Sequence, residues 1–344
     1  GDGRAHRESE RREGDFPVKT LVTGAAGFIG MHVAERLLSV GHEVVGLDNL
    51  NDYYDVGLKE ARLARLQALA GFSFQRADLS DDAAVRDVFG QGRFSHVVHL
   101  GAQAGVRYSL THPHVYIDSN VRGTLNVLEG CRAQGIEHLV FASTSSVYGL
   151  NARMPYSPDH GVDHPVSLYA STKRAGELFA HNYAELFGVP VTALRFFTVY
   201  GPWGRPDMSP MIFARKILAG EPLEVFNFGK HRRDFTYIDD IVEGVVRVLA
   251  EPPAANPAWD AVTASPSSSR APFRICNIGH SEPVELLYFI GLLERALGRE
   301  AHKTLLPMQP GDVENTYADM SHLEALVGYR PQVSIEEGVE RFVS

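Results

Sequence analysis

Between residues 18 and 196, short β-branched runs alternate with amphipathic helical stretches, and this alternation constrains the fold more than any other feature of the 344-residue chain. Strands are expected at 19–22, 43–47, 72–76, 96–100, 138–142 and 191–196. Helices are expected at 28–40, 56–70, 81–89, 115–134 and 168–187. Apolar strands separated by helices form a parallel sheet covered on both faces. The expected class is α/β: a doubly wound parallel sheet of the Rossmann type with a smaller C-terminal lobe.

After Phe197 the alternation weakens, and segments such as Gly201-Pro202-Trp203-Gly204-Arg205-Pro206 suggest loops building that lobe. The expected organisation is a disordered tail over 1–16, a cofactor-binding domain over 17–197, and a lobe over 198–344 that mainly binds substrate. Segments around 233–250 are expected to return to the first domain. Residues 251–272, rich in Ala, Pro and Ser and without period, are expected to form a surface insertion without chemistry. The polar opening stretch has no apolar h-region, so it reads as neither signal peptide nor anchor. No run of 18 apolar residues suggests a membrane span. A net charge of -9 gives no general attraction to nucleic acid or anionic membrane. Cys131 and Cys276 have no metal-ligand spacing, so no metal is expected; they read as buried thiols of a reducing, cytoplasmic setting.

Gly24-Ala25-Ala26-Gly27-Phe28-Ile29-Gly30 follows the first strand and opens a helix. Glycines there let the backbone turn sharply and approach a pyrophosphate, whose charge meets the amides of the helix N-terminus. An ordinary strand–helix turn would carry the same glycines, but the position on the first strand favours the phosphate site. Asp48 ends the second strand, where a carboxylate accepts hydrogen bonds from an adenosine ribose and repels a 2′-phosphate; Asn49 and Leu50 add no arginine. NAD is therefore expected rather than NADP. Asp78-Leu79 is placed to meet the adenine, with a helix N-cap before Asp81 as the equal alternative.

Tyr169 and Lys173 lie four apart in a helical stretch and share one face. A lysine ammonium beside a phenol favours phenolate, so the tyrosine is a candidate acid/base near neutral pH. The pair occurs often by chance; the glycine turn gives it weight. Ser143-Thr144-Ser145-Ser146 follows the fifth strand, where its hydroxyls can hydrogen-bond both the phenol and a substrate hydroxyl.

Together with Ala102 to Arg107, Leu194 to Asp207 and Arg233 to Asp240, these motifs resemble the UDP-glucuronate 4-epimerases, over nearly the whole chain from Val18. The resemblance implies a tightly held NAD and a UDP-sugar substrate, with Tyr169 taking the C4 hydroxyl proton. Thr144, Ser145 and Ser146 would assist, and Lys173 would also reach the nicotinamide ribose. Leu100, Ala102, Gln103, Asn120, Ser143 and Phe197 would line the cofactor site with Gly24, Gly27, Phe28, Ile29, Gly30, Asp48, Asn49, Asp78 and Leu79. Arg233 and Asp312 would meet the nucleotide, and Val225-Phe226-Asn227 the uracil. The helices at 115–134 and 168–187 resemble those of a four-helix homodimer interface.

Thr198 stands where galactose-type epimerases carry asparagine, leaving room for a carboxylate. Arg205 follows in a Gly/Pro-bounded loop, and its fork can bind that carboxylate bidentately. A loop salt bridge is the alternative for Arg205; Arg107 is a second candidate, with cofactor pyrophosphate as its alternative partner. Related decarboxylases and 4,6-dehydratases place an acid in the hydroxyl-rich turn, where this chain has Ser145-Ser146. Epimerisation of a uronate is therefore expected, with a neutral UDP-hexose epimerase and a UDP-glucuronate decarboxylase as alternatives. An NAD-binding module without turnover would usually lack the Tyr–Lys pair, and a steroid-type dehydrogenase fits the second lobe less well.

Overall fold

The structure, a computed structural model, describes residues 17–309 and 313–344. The expected tail at 1–16 and Asp312 lie outside the described residues. β1 (Lys19–Thr23) and α1 (Phe28–Ser39) open the alternation, followed by β2 (Glu43–Asp48), α2 (Val56–Gln67), β3 (Phe72–Arg76) and α3 (Asp82–Gly92). β4 (His96–His99) leads into two single-turn helices, α4 (Tyr108–Thr111) and α5 (Pro113–Tyr116). Then come α6 (Gly123–Gln134), β5 (His138–Thr144), α7 (Leu168–Phe187) and β6 (Val191–Phe196).

The helix expected over 115–134 is not continuous. A π-helical turn, Ile117–Arg122, joins α5 to α6. Such turns are local insertions that re-aim a side chain. Here Asn120 is turned inward, where its amide clamps both backbone groups of Gln103 and donates to Thr172 Oγ1 at 3.0 Å.

Beyond β6 lie β7 (Thr198–Tyr200), α8 (Ser209–Ala219), β8 (Pro222–Val225), β9 (Arg232–Tyr237) and α9 (Ile238–Leu249). β10 (Phe273–Ile278), β11 (Pro283–Glu285), α10 (Leu286–Leu297), β12 (His302–Leu305), β13 (Asn315–Thr316), α11 (Ser321–Val327) and α12 (Ile335–Val343) complete the described elements.

The main sheet has the order β10-β6-β5-β4-β1-β2-β3, with every pairing parallel. Its seventh strand, β10, comes from the C-terminal half and pairs Phe273 with Val191 through Ile278 with Phe196. Sequence alternation missed it because residues 251–272 separate it from its neighbours. α1 and α9 pack together on one face, and α3, α6 and α7 on the other. Leu21, Leu37, Phe141 and Leu128 are almost wholly buried, each worth about 1.5–3 kcal/mol of transfer free energy. The second lobe centres on β9, which pairs with β7, β11 and β13, beside a separate β8–β12 pair.

Strand order reverses between β1 and β4, so the crevice at their carboxyl ends is where a doubly wound sheet binds ligands. Residues 251–272 contain no helix or strand and run over the body. Ser265 and Ser267 hydroxyls donate to Asp159, and Ser269 meets His181 at 2.8 Å.

Candidate active site

A cavity of about 370 Å³ opens at this crevice. The glycine turn forms its floor. Gly24 adopts φ +72°, and a Cβ on it would lie 2.8 Å from the Gly101 amide after β4; a Cβ on Gly30 would lie 2.0 Å from the Gly24 carbonyl oxygen. The turn therefore packs backbone against backbone. No side chain caps α1, leaving its first amides available to an anion. Phe28, Ile29, Leu79, Leu100, Ala102, Gln103 and Phe197 line the same cavity.

Asp48 ends β2 at the cavity wall. Its carboxylate accepts from the Leu50 amide at 2.9 Å and the Ala26 amide at 3.1 Å, while burial raises its pKa against these bonds. The carboxylate thus fastens the glycine turn as well as facing the cavity. Asn49 donates to Asp78 at 3.0 Å, and Asp78 accepts from the Ser80 amide and hydroxyl. Asp78 lines the cavity, whereas Asp81 is the N-cap of α3, accepting from the Ala84 amide. The helix cap is therefore Asp81 itself, one turn beyond Asp78, which leaves Asp78 at the cavity wall. These groups fit a dinucleotide: an uncapped helix end for pyrophosphate, and a strand-end carboxylate for ribose.

α7 begins at a Ser167 N-cap and brings Tyr169 and Lys173 to the cavity on one face. Lys173 is buried, donates to the Ala142 carbonyl at 2.9 Å, and has its pKa lowered by burial to about 8. The expectation that this ammonium lowers the Tyr169 phenol needs correction. Burial raises the Tyr169 pKa, and the groups opposing that rise are the Arg205 guanidinium and the Thr144 hydroxyl. The Lys173 ammonium is instead held by the β5 backbone.

The turn after β5 divides its hydroxyls. Ser143 is buried and donates to Glu177 Oε1 at 2.6 Å, pointing away from the reacting region even though its residue lines the cavity. Glu177 also receives Arg195 at 2.8 Å and Arg174 at 2.8 Å, which hold its carboxyl below the usual range despite burial. Thr144 accepts from the Ser146 amide at 3.2 Å, fixing the 3₁₀ turn Ser145–Tyr148. Thr144, Ser145 and Ser146 all line the cavity, as do Thr198 and Arg205.

Arg205 does not present an open fork. Its Nε and Nη2 bind the Asp207 carboxylate at 3.0 and 2.5 Å, and Tyr53 donates to the same carboxylate at 3.1 Å. The side-on edge of the guanidinium is occupied, leaving Nη1 and the end-on edge.

The remaining candidates lie off the cavity wall. Asn120 is committed to Gln103 and Thr172, so it positions Gln103, a wall residue. Arg107 is exposed at the N-terminus of α4. Val225 is fully buried at the end of β8, and Phe226-Asn227 lies in the 3₁₀ turn that follows. Arg233 lies on β9 and donates to the Glu314 carbonyl at 3.0 Å. None of these is part of the cavity lining.

Among the wall residues that escaped sequence reasoning, Tyr53, Tyr54 and Lys59 carry the polar groups that bear on the site. Their signal was the aromatic-rich loop Asn51-Asp52-Tyr53-Tyr54-Asp55 directly after the Asp48 strand, a position where loops carry function. Lys59 is buried and donates to Asn51 O and Oδ1 at 2.7 and 2.6 Å.

The model of the NAD dependent epimerase/dehydratase family matches residues 20–260. The chain is 49% identical over 327 residues to a probable UDP-glucuronate 4-epimerase of Rhizobium meliloti, covering 95% of this chain and 96% of that protein. It is similar, with a TM-score of 0.82 and 34% identity, to the UDP-glucuronic acid 4-epimerase of Bacillus cereus solved with UDP-glucuronic acid and NAD, over 95% of this chain and 98% of that one. The UDP-glucose 4-epimerase of Thermotoga maritima solved with UDP-glucose gives a TM-score of 0.80 at 29% identity, over 95% and 97% of the two chains.

Proposed function

The chain belongs to the NAD dependent epimerase/dehydratase family, and from that premise we propose that it interconverts UDP-glucuronate and UDP-galacturonate by epimerising C4. The observation that carries this reading is the convergence of Tyr169, the acid-free Thr144-Ser145-Ser146 turn, Thr198 and Arg205 in one cavity with the glycine turn. NAD, when bound, supplies a hydride acceptor that returns the hydride to the opposite face of the 4-keto sugar. The glycine turn and the start of α1 hold its pyrophosphate, and Asp48 its adenosine ribose.

Tyr169 takes the C4 hydroxyl proton and returns it after the sugar has turned over. The adjacent Arg205 charge and Thr144 hydroxyl lower the cost of the phenolate in a site where burial opposes it. Lys173 holds a positive charge at the back of the cavity. Ser145 and Ser146 offer hydroxyls to the sugar. With no carboxylate in this turn, no residue there is equipped to abstract a C5 proton for elimination.

Arg205, through its end-on edge, and Thr198 are read as the uronate-recognising pair. Arg233 and Asp312 are read as nucleotide contacts, Val225 to Asn227 as a uracil contact, and Arg107 as a second anion contact; the contacts with Arg233 and with Val225 to Asn227 require the substrate to extend beyond the cavity into the second lobe. Fold similarity alone does not separate a uronate from a neutral hexose.

We read residues 17–197 as the cofactor-binding unit and 198–344 mainly as the substrate-binding one. A homodimer through α6 and α7 is supported by exposed Leu125, Leu178, Leu186 and Phe187 on those helices. The unpaired, buried Cys131 and Cys276 support a reducing, cytoplasmic setting. Among the described residues no helix is long and apolar enough to cross a membrane.

The test is product identification from both directions. Purified protein given either UDP-glucuronate or UDP-galacturonate should reach one common mixture of the two. Accumulation of a pentose nucleotide with release of CO₂ would replace this reading with decarboxylation.

A further inference from the structure

Arg62, on α2, is completely buried, yet its hydrogen bonds run to backbone carbonyls and a phenol rather than to any carboxylate. Each of its five N–H groups has an acceptor. Nε donates to the Trp203 carbonyl at 3.2 Å. Nη2 donates to the Trp203 and Gly204 carbonyls at 2.6 and 3.4 Å. Nη1 donates to the Ala26 carbonyl at 3.1 Å and the Tyr54 hydroxyl at 2.5 Å. One guanidinium thus ties together the glycine turn at Ala26, the aromatic loop at Tyr54 and the turn that immediately precedes Arg205.

Burying a cation whose direct hydrogen-bond partners are all neutral, with only the nearby Asp48 charge to balance it, is expensive, and a hydrophobic residue could fill the same space. What only a planar fork achieves is a fixed distance and orientation among three segments far apart in sequence. The turn it grips needs such a hold. Trp203 adopts φ +67°, in the left-handed region that a non-glycine residue keeps only when its surroundings over-determine it. Asp207 and Tyr53 then fix Arg205 from the other side.

We propose that Arg62 is a positioning residue for substrate selectivity: by anchoring Trp203 and Gly204 to the glycine turn, it sets where the Arg205 guanidinium stands relative to the sugar. The inference rests on the reading that Arg205 meets the uronate carboxylate. Lysine at position 62 keeps the charge but supplies three N–H groups from one point and cannot span the three segments.

The experiment compares wild type, Arg62→Lys, Arg205→Ala and the double variant in their NAD-loaded form. For each, KM for UDP-glucuronate is set against the competitive Ki for UDP-glucose, with bound NAD measured alongside. Arg62→Lys should raise KM for UDP-glucuronate about tenfold or more, leave Ki for UDP-glucose within about twofold, and retain NAD. Arg205→Ala should remove the preference for the uronate, and adding Arg62→Lys to it should then change little.

Equal weakening of both ligands in Arg62→Lys, or additive losses in the double variant, would reduce Arg62 to a structural residue and overturn the proposal. A preference unchanged in Arg205→Ala would instead overturn the underlying reading of Arg205. If Arg62→Lys does not fold, Tyr54→Phe removes one acceptor while keeping the ring. A selective rise in KM of about threefold would support the proposal, and a weakening shared by both ligands, or none at all, would contradict it.

Discussion

At the residue scale, the assignment turns on Tyr169. Removing its hydroxyl leaves the ring, α7 and the glycine turn in place, so Tyr169→Phe should retain NAD while kcat falls by about 10²–10⁴, the usual contribution of a positioned acid/base. Undiminished turnover would move the proton transfer elsewhere. Lys173 gives a second expectation. Burial lowers its pKa to about 8, so the ammonium is intact below that value and is lost as pH rises through it. Between about 8 and the ordinary lysine value the folded protein binds fewer protons than the unfolded chain. The stability cost of burying the cation, fully present below about 8, is therefore relieved across that window. If catalysis uses the charge, kcat should decline as pH rises through about 8; a flat profile from 7 to about 10 would exclude that use. The Tyr169–Lys173 pair was legible in sequence because both members sit on one helix. The Arg205 partnership was not, since Tyr53 and Asp207 are brought together across 154 residues. The partners of Asn120 were not legible for a related reason: sequence pattern did not reveal the π-helical turn that aims its amide at Gln103.

At the element scale, the glycine turn and α1 act as one unit whose tolerance to a single methyl group can be measured. Gly30→Ala would place Cβ 2.0 Å from the Gly24 carbonyl oxygen, so backbone must shift. Loss of bound NAD and a lowered Tm are expected. Gly90 is the matched control: it lies exposed in α3, and a methyl group added there would meet nothing within 4 Å. Gly90→Ala should stabilise by about 0.5–1 kcal/mol with NAD binding unchanged. Thermal unfolding and cofactor content of the two variants decide the point, and equal behaviour would contradict it. Most elements of the first half were readable because hydrophobic period and turn glycines agree there, as in the segments Phe72–Arg76 and Leu168–Phe187. β10 was hidden because the aperiodic stretch 251–272 interrupts the alternation before it, and only pairing with β6 reveals its place.

At the scale of the whole molecule, what the sequence could not convey is how the two halves meet. Arg62 reaches Trp203 across 141 residues, and β10 completes a sheet begun at Lys19. Glycines, strand ends and a helical pair announce a cofactor site locally, whereas the substrate side depends on long-range packing that leaves little local pattern. The exposed apolar residues of α6 and α7 carry their own expectation. Leu186 is 63% exposed, and Leu186→Lys should convert a dimer to monomers in sedimentation velocity while leaving the fold intact; a monomeric wild type would remove the proposed interface.

The central claim is that C4 is inverted through a keto sugar whose hydrogen never leaves the cavity. The most direct measurement is the reaction of UDP-glucuronate in D₂O followed by NMR. UDP-galacturonate retaining protium at C4 is the predicted result; deuterium at C4, or a pentose nucleotide in place of the uronate, would contradict it.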